Sequence, residues 1–341
     1  MRQRVWKAAN VQLTEATLDT DTRVHTVFGK QMGARKGYNP KNKGKKSFQP
    51  ILTFAAETKE YLMGELRNGE RPSGARIARH LKSAVAALPA TVKIVRARAD
   101  SGFYCWEAVD AYENPGCQFI VVARKTSRLL NRLQTAEWEP SPDTDADEQC
   151  EFSYQPKGWG KAFRFLAQRY EKEPEAAAAD QPEQYQLLET ANYIYRVFVT
   201  NMDGPLDAMV WFYKQRGGAG NLIKEANNDA GLTAHPSNYW TMNAIHFQIA
   251  MLAYNLNCWL VLFNREGTES VEKLKHTTLA TSRLRFLYLA AKISRHAGQV
   301  SVDYSDHYEE KGLFQRLMVR LRAVAGGTDG FAPVVAGPLR Y

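Results

Sequence analysis

The sequence predicts a mixed α/β protein, and three observations predict it. Alternating, β-rich segments come first; amphipathic stretches then alternate with short apolar runs; and the final third carries a helical period. The opening segments at residues 11–21, 49–58 and 60–67 read as strands, the last two separated by little more than a turn, so together they suggest an antiparallel meander. Residues 74–88 follow with Ile77, Leu81, Ala84 and Val85 on one helical face. An extended run at 92–99 ends at Asp100, Trp106–Glu113 reads as a second helix, and 117–123 reads as a buried strand. The order βββαβαβ is a mixed layer whose chemistry belongs at strand ends.

After Arg128 the composition shifts. Acidic loops at 140–147 and 173–183 flank strand-like runs at 150–154, 162–169, 185–188 and 193–201, a small β insertion of about four strands. From Leu206 onward the pattern is helical to the end, with 238–263 as the longest candidate and 313–324 as a basic amphipathic helix. There is no internal repeat. The expected division is therefore 1–128 for the first part of the core, 129–204 for the β-rich insertion, 205–325 for the remainder with C-terminal helices, and 326–341 for a flexible tail.

A chain of 341 residues with 44% hydrophobic content can bury a substantial core. Its 45 lysines and arginines against 36 acids give +9, which favours a polyanionic partner. Cys105, Cys117, Cys150 and Cys258 lack zinc-site or disulfide spacing, the seven histidines are dispersed, and a reducing cytoplasm fits. The N-terminus carries no signal-peptide pattern. The most apolar window, 245–263, contains His246, Gln248, Asn255 and Asn257, costly groups in lipid, and reads as a buried helix rather than a membrane span. The aromatics Trp240, Phe247, Tyr254 and Trp259 of the long helix candidate 238–263 read as core.

Two acidic constellations could carry chemistry. Asp19 and Asp21 stand two apart on a predicted strand and share one face; Asp100 ends another strand and is followed by Ser101-Gly102. Acids at neighbouring strand ends can hold hard divalent cations for phosphoryl transfer. From spacing alone, each could equally be a cap or turn residue.

Three ordered motifs carry a family resemblance. Leu18-Asp-Thr-Asp-Thr22 with the glycine- and lysine-rich stretch from Gly29 to Ile51, then Arg98-Ala-Asp-Ser-Gly-Phe103, then Tyr213-Lys-Gln-Arg216 with Asn221-Leu-Ile-Lys-Glu225 resemble the DDE transposases of bacterial insertion sequences. The resemblance spans roughly residues 11 to 325. It implies a ribonuclease H-like mixed sheet flanked by helices, a β-rich insertion before the last catalytic helix, and a helical C-terminal part. It also implies a metal-dependent enzyme of DNA strand cleavage and transfer, using Mg²⁺ or Mn²⁺, in a bacterial cytoplasm. The partners are double-stranded DNA at element ends and target, a homodimer on that DNA being left open, and no membrane.

Carried over position by position, the first metal-binding catalytic acid falls on Asp21, with Asp19 as fallback, and the second on Asp100. The expected glutamate, four positions after Arg216, is Gly220, and Arg23 stands where a small residue is expected. Glu225, five residues beyond Gly220, lies about 140° around a helix from it and is a weak substitute. Strand transfer is therefore expected to be impaired. The rival readings are a non-catalytic DNA-binding remnant that occupies element ends or competes with active copies, and a nuclease using Glu225. Lys30, Arg35, Lys36, Lys41, Lys43, Lys45 and Lys46, with no acid among them, read as a flexible phosphate clamp or a solvated loop. Arg216 and Lys224 are implied DNA-backbone contacts, and Tyr213 either positions a phosphate or packs. Only about twenty residues precede Asp21, where the family carries a recognition region, so a truncated product is expected.

Overall fold

Alternation along the first long strand decides the layering: Leu18 faces one side of the sheet, Asp19 and Asp21 the other. The computed structural model describes residues 1–141, 144–171, 188–189, 192–265, 271, 275–305 and 307–326. Helix α1 (Arg2–Ala8) leads into β1 (Glu15–Thr22), and a minor sheet follows from β2 (His25–Thr26), β3 (Arg35–Lys36) and β4 (Lys46–Phe48). Then come β5 (Ile51–Ala55), β6 (Tyr61–Glu65), α2 (Gly74–Ala86), β7 (Ile94–Ala99), α3 (Trp106–Glu113), β8 (Gln118–Val122) and α4 (Ser127–Gln134). The inserted strands are β9 (Glu139–Pro140), β10 (Glu148–Tyr154), β11 (Phe163–Glu171), β12 (Leu188–Glu189) and β13 (Tyr193–Thr200). The C-terminal part holds α5 (Leu206–Lys214), α6 (Gly217–Asp229), α7 (Trp240–Asn264), α8 (Leu279–Phe286), β14 (Ala291–His296), β15 (Gln299–Tyr304) and α9 (Lys311–Gly326).

The main sheet runs β6-β5-β1-β7-β8, antiparallel through β6, β5 and β1 and parallel through β1, β7 and β8. This is the expected mixed sheet, and helices flank it. The inserted strands extend it, because β13 pairs antiparallel with β8 and carries β11, β10 and β9 beyond. Leu18, Ala97 and Ala99 pack with Ile77, Leu81, Val109 and Tyr112 of α2 and α3 on one face. Leu52 and Phe54 of β5 meet Leu222, Ile223, Phe247, Met251 and Tyr254 of α6 and α7 on the other. Phe247, Tyr254 and Trp259 are buried, and Trp240 packs edge-on against Phe48.

One expectation is overturned. The stretch after Leu206 is not helical throughout: β14 and β15 form a hairpin between α8 and α9, with His296 opposite Gln299. Its turn places Ala297 at φ 48° and Gly298 at φ 76°, the type I′ geometry that matches strand twist. Alanine before that glycine hides the usual Asn-Gly signal. Of the inserted strands, 185–187 and the acidic loop 173–183 lie outside the described residues, as do 142–143 and the tail from 327.

Inside the sheet, β1 and β7 are locked by charge. Asp19 stands in register with Arg98, and the pair is bidentate at 2.7 and 2.8 Å with both side chains buried. The guanidinium also donates to the Phe212 carbonyl at 2.7 Å and lies over the Phe212 ring, tying α5 to the sheet. Removing one partner leaves the other charge buried and unpaired, so Asp19→Ala is expected to lower unfolding free energy by about 3–5 kcal/mol, read by urea denaturation. A loss below about 1 kcal/mol would show that water reaches Arg98 and that the pair does not hold the sheet.

Candidate active site

Strand register brings the two candidate acids together. The last registered pair between β1 and β7 is Thr20 with Ala99, so Asp21 and Asp100 are the next residues along two parallel neighbours. Both line one cleft of about 190 Å³. Asp21 Oδ1 accepts the Thr22 amide at 2.8 Å and pairs with Arg216 Nη2 at 3.1 Å. Asp100 caps the short 3₁₀ turn Ser101–Phe103, its Oδ1 accepting the Gly102 amide at 2.9 Å. The Asp-Ser-Gly sequence supplies that turn, with the aspartate as the acceptor.

Arg216 is the third member. It caps α6 at the joint with α5, is buried, and also donates to the Thr20 carbonyl at 3.1 Å. The residue expected to reach toward DNA backbone is thus turned inward onto Asp21. Tyr213 is likewise buried, its ring 4.8 Å from that of Phe198. Lys224 is exposed on α6.

The Asp100 carboxyl is raised to about 6, chiefly by burial and also by the neighbouring Asp21 charge, while Arg216 pulls against the rise. The nearby Arg124, which donates to the Ser101 carbonyl at 2.7 Å, also lowers it.

Asp19 does not line the cleft, because Arg98 takes both its oxygens. Glu225 serves a different place: its carboxylate binds His276 Nε2 at 2.6 Å and accepts the Leu279 amide at 2.8 Å, at the start of α8. Gly220 sits on α6, whose glycines leave the helix continuous from Gly217 to Asp229.

The basic segment forms the cleft's roof. Tyr38, Asn39, Lys41 and Asn42 line the same cavity as the acids, joined by Arg23 and Gln49. Lys30, Arg35, Lys36, Lys41, Lys43, Lys45 and Lys46 are all exposed. The segment is anchored rather than wholly flexible: Arg35 and Lys36 pair with β4, and the Met32 amide bonds the Asn238 carbonyl at 2.8 Å. Gly37 is required by close approach, since a Cβ there would sit 1.8 Å from the Gly69 carbonyl oxygen. Sequence reasoning missed Arg23, Gln49 and Arg124 at the site. Arg98 could have been paired from the matched two-residue spacings Asp19/Asp21 and Arg98/Asp100 on adjacent strands.

The donor set fits one hard cation. Neither Asp21 nor Asp100 has its Oδ2 in a hydrogen bond among the described residues, and Mg²⁺ typically takes one or two carboxylates plus water and phosphate oxygens. Among the described residues no three His, Cys, Asp or Glu side chains gather to hold a metal.

Residues 1–325 match the family described as Transposase DDE domain group 1. The chain belongs to that family. Of the three ordered motifs, the acids of the first two meet at one end of the sheet, with Arg216 of the third beside Asp21. Among solved structures this transposase-family chain is similar to a piggyBac transposase, determined by cryo-EM in a synaptic complex with hairpin DNA, at 13% identity and a TM-score of 0.46. The match covers 79% of this chain and 52% of that one, so the chain spans about half the length of that relative. No curated protein sequence matches.

The raised Asp100 carboxyl makes a pH prediction. The folded state holds the proton up to about 6 while the ordinary value is 3.8, so this group's contribution to stability falls as pH rises through that window. Asp100→Asn is expected to gain stability relative to the parent between pH 4 and 7, measured by urea unfolding across pH. A difference that stays flat with pH would place the Asp100 titration near its ordinary value.

Proposed function

We propose that the protein is a transposase of bacterial insertion-sequence origin that binds double-stranded DNA at element ends and target, and whose strand cleavage and transfer are impaired by glycine at 220. The observation that supports this most is the shared cleft, which Asp21 and Asp100 line together with Arg23 and Lys41, the latter on an exposed, acid-free basic segment. A Mg²⁺ or Mn²⁺ ion held by Asp21 and Asp100 would supply positive charge to a phosphodiester under attack by water or a DNA 3′ hydroxyl.

The chain's own residues do the rest. The lysines and arginines of the basic segment, and Lys224 on α6, hold phosphate oxygens and set the backbone at the cleft. Arg216 fixes the Asp21 rotamer, and the Gly102 amide does the same for Asp100. No third carboxylate stands on the near turn of α6, so charge building on the leaving oxygen is poorly balanced and the rate falls by orders of magnitude.

Restoring the acid tests this reading. Gly220→Glu is expected to raise cleavage of the element's terminal inverted-repeat DNA about 100-fold or more over the parent, in Mg²⁺ or Mn²⁺. A parent that cuts efficiently while the restored variant gains nothing would show that the third position has been misassigned.

A second reading, a non-catalytic occupant of element ends that competes with active copies, is favoured by the Arg216–Asp21 pair, which already places a cation beside the acids. It requires that DNA binding survive Asp100→Ala. In either case, changing Lys43, Lys45 and Lys46 together to alanine is expected to flatten the slope of log affinity against log salt by about 3, measured by fluorescence anisotropy. An unchanged slope would remove the roof from the DNA interface.

A further inference from the structure

Helix α7 exposes an apolar seam that nothing in the active-site reading uses. Met242, Ile245, Ile249, Leu252 and Leu256 are 56%, 56%, 59%, 48% and 50% exposed, although the opposite face carries the fully buried Phe247, Met251 and Tyr254. The exposed residues are spaced three, four, three and four apart, the period of a helix-pairing seam rather than of scattered surface residues. Tyr239, 65% exposed at the helix start, continues the line.

The helix contains no Asp, Glu, Lys or Arg over its 25 residues. Three of its polar side chains are tied to the chain's own carbonyls: Gln248 donates to that of Gly64 at 2.9 Å, Asn255 to that of Tyr61 at 2.8 Å, and Asn243 to that of Ser237 at 2.7 Å. The seam therefore offers a partner shape and apolar area but no charge to read.

We propose that this seam is the interface between two copies of the chain, packed helix α7 against helix α7 about a two-fold axis. Self-pairing brings an identical repeat into the facing grooves, and an uncharged seam sets no like charges against each other when the partner is a copy. At roughly 100 Å² of apolar surface for each half-exposed side chain, the six residues contribute about 600 Å² per copy. A pair then buries on the order of 1,200 Å², the lower edge of the range of a specific interface, from a patch at the upper end of what a monomer ordinarily leaves open. By length and composition α7 could also cross a bilayer, but half of its apolar window is buried in the protein, and it lacks the basic rim of a helix lying on a lipid surface.

The interface forms without DNA, so its test is separate from that of the proposed activity. In sedimentation velocity without nucleic acid at tens of micromolar, the full chain is expected to run at twice its 38.6 kDa mass. Ile249→Glu sets two carboxylates at the centre of the seam and is expected to raise the dimer dissociation constant roughly a hundredfold or more, while Ile249→Leu keeps the dimer. Because Ile249 is exposed in the single chain, the circular dichroism spectrum of Ile249→Glu is expected to match the parent's. A monomeric parent, a dimer indifferent to Ile249→Glu, or a monomer that instead floats with phosphatidylcholine vesicles would each overturn the proposal.

Discussion

The buried pairing of Asp19 with Arg98 is the constraint on which the rest of the site depends. A strand that slipped by one residue would turn every side chain to the other face, and here a slip would also strand two charges in the core. The pair fixes the register of β1 against β7, and that register delivers Asp21 and Asp100 to adjacent strand ends. The same guanidinium holds α5 by its backbone, so the helix that leads into Arg216 is positioned by the lock that positions the acids. One ionic contact thus couples sheet alignment to the spacing of the candidate ligands.

Opposite charges meet in the cleft. The acid pair, tempered by Arg216 and Arg124, shares it with Arg23 and Lys41, and the lysines that follow Lys41 in the chain are exposed. Arg216 gives up its reach toward solvent for this: it is buried, and it satisfies both a carboxylate and a strand carbonyl.

The central layer was readable from sequence because its strands are long enough to carry a period and its helices amphipathic. The meander, α2, α3 and the strands that end at Asp21 and Asp100 follow from that patterning. The minor sheet was not readable, since β2, β3 and β4 span only two or three residues each and their pairing is tertiary. The hairpin of β14 and β15 was hidden by alanine at a left-handed position. Within the site, the acids and the cationic roof could be named from composition and spacing. The inward turn of Arg216 and the packing of Tyr213 could not, because both depend on how α5 meets the sheet. The exposed seam of α7 was masked by its own hydrophobicity, which read as burial all round.

Glu225 shows how an acid can look like machinery and act as a joint. Its two oxygens fasten α6 to the start of α8, through His276 and the Leu279 amide. Neutralising it would loosen the seat of a neighbouring helix, so lost turnover in such a variant would report a sprung hinge pin as readily as a missing proton acceptor, and only a measurement of α8's solvent protection would tell the two apart.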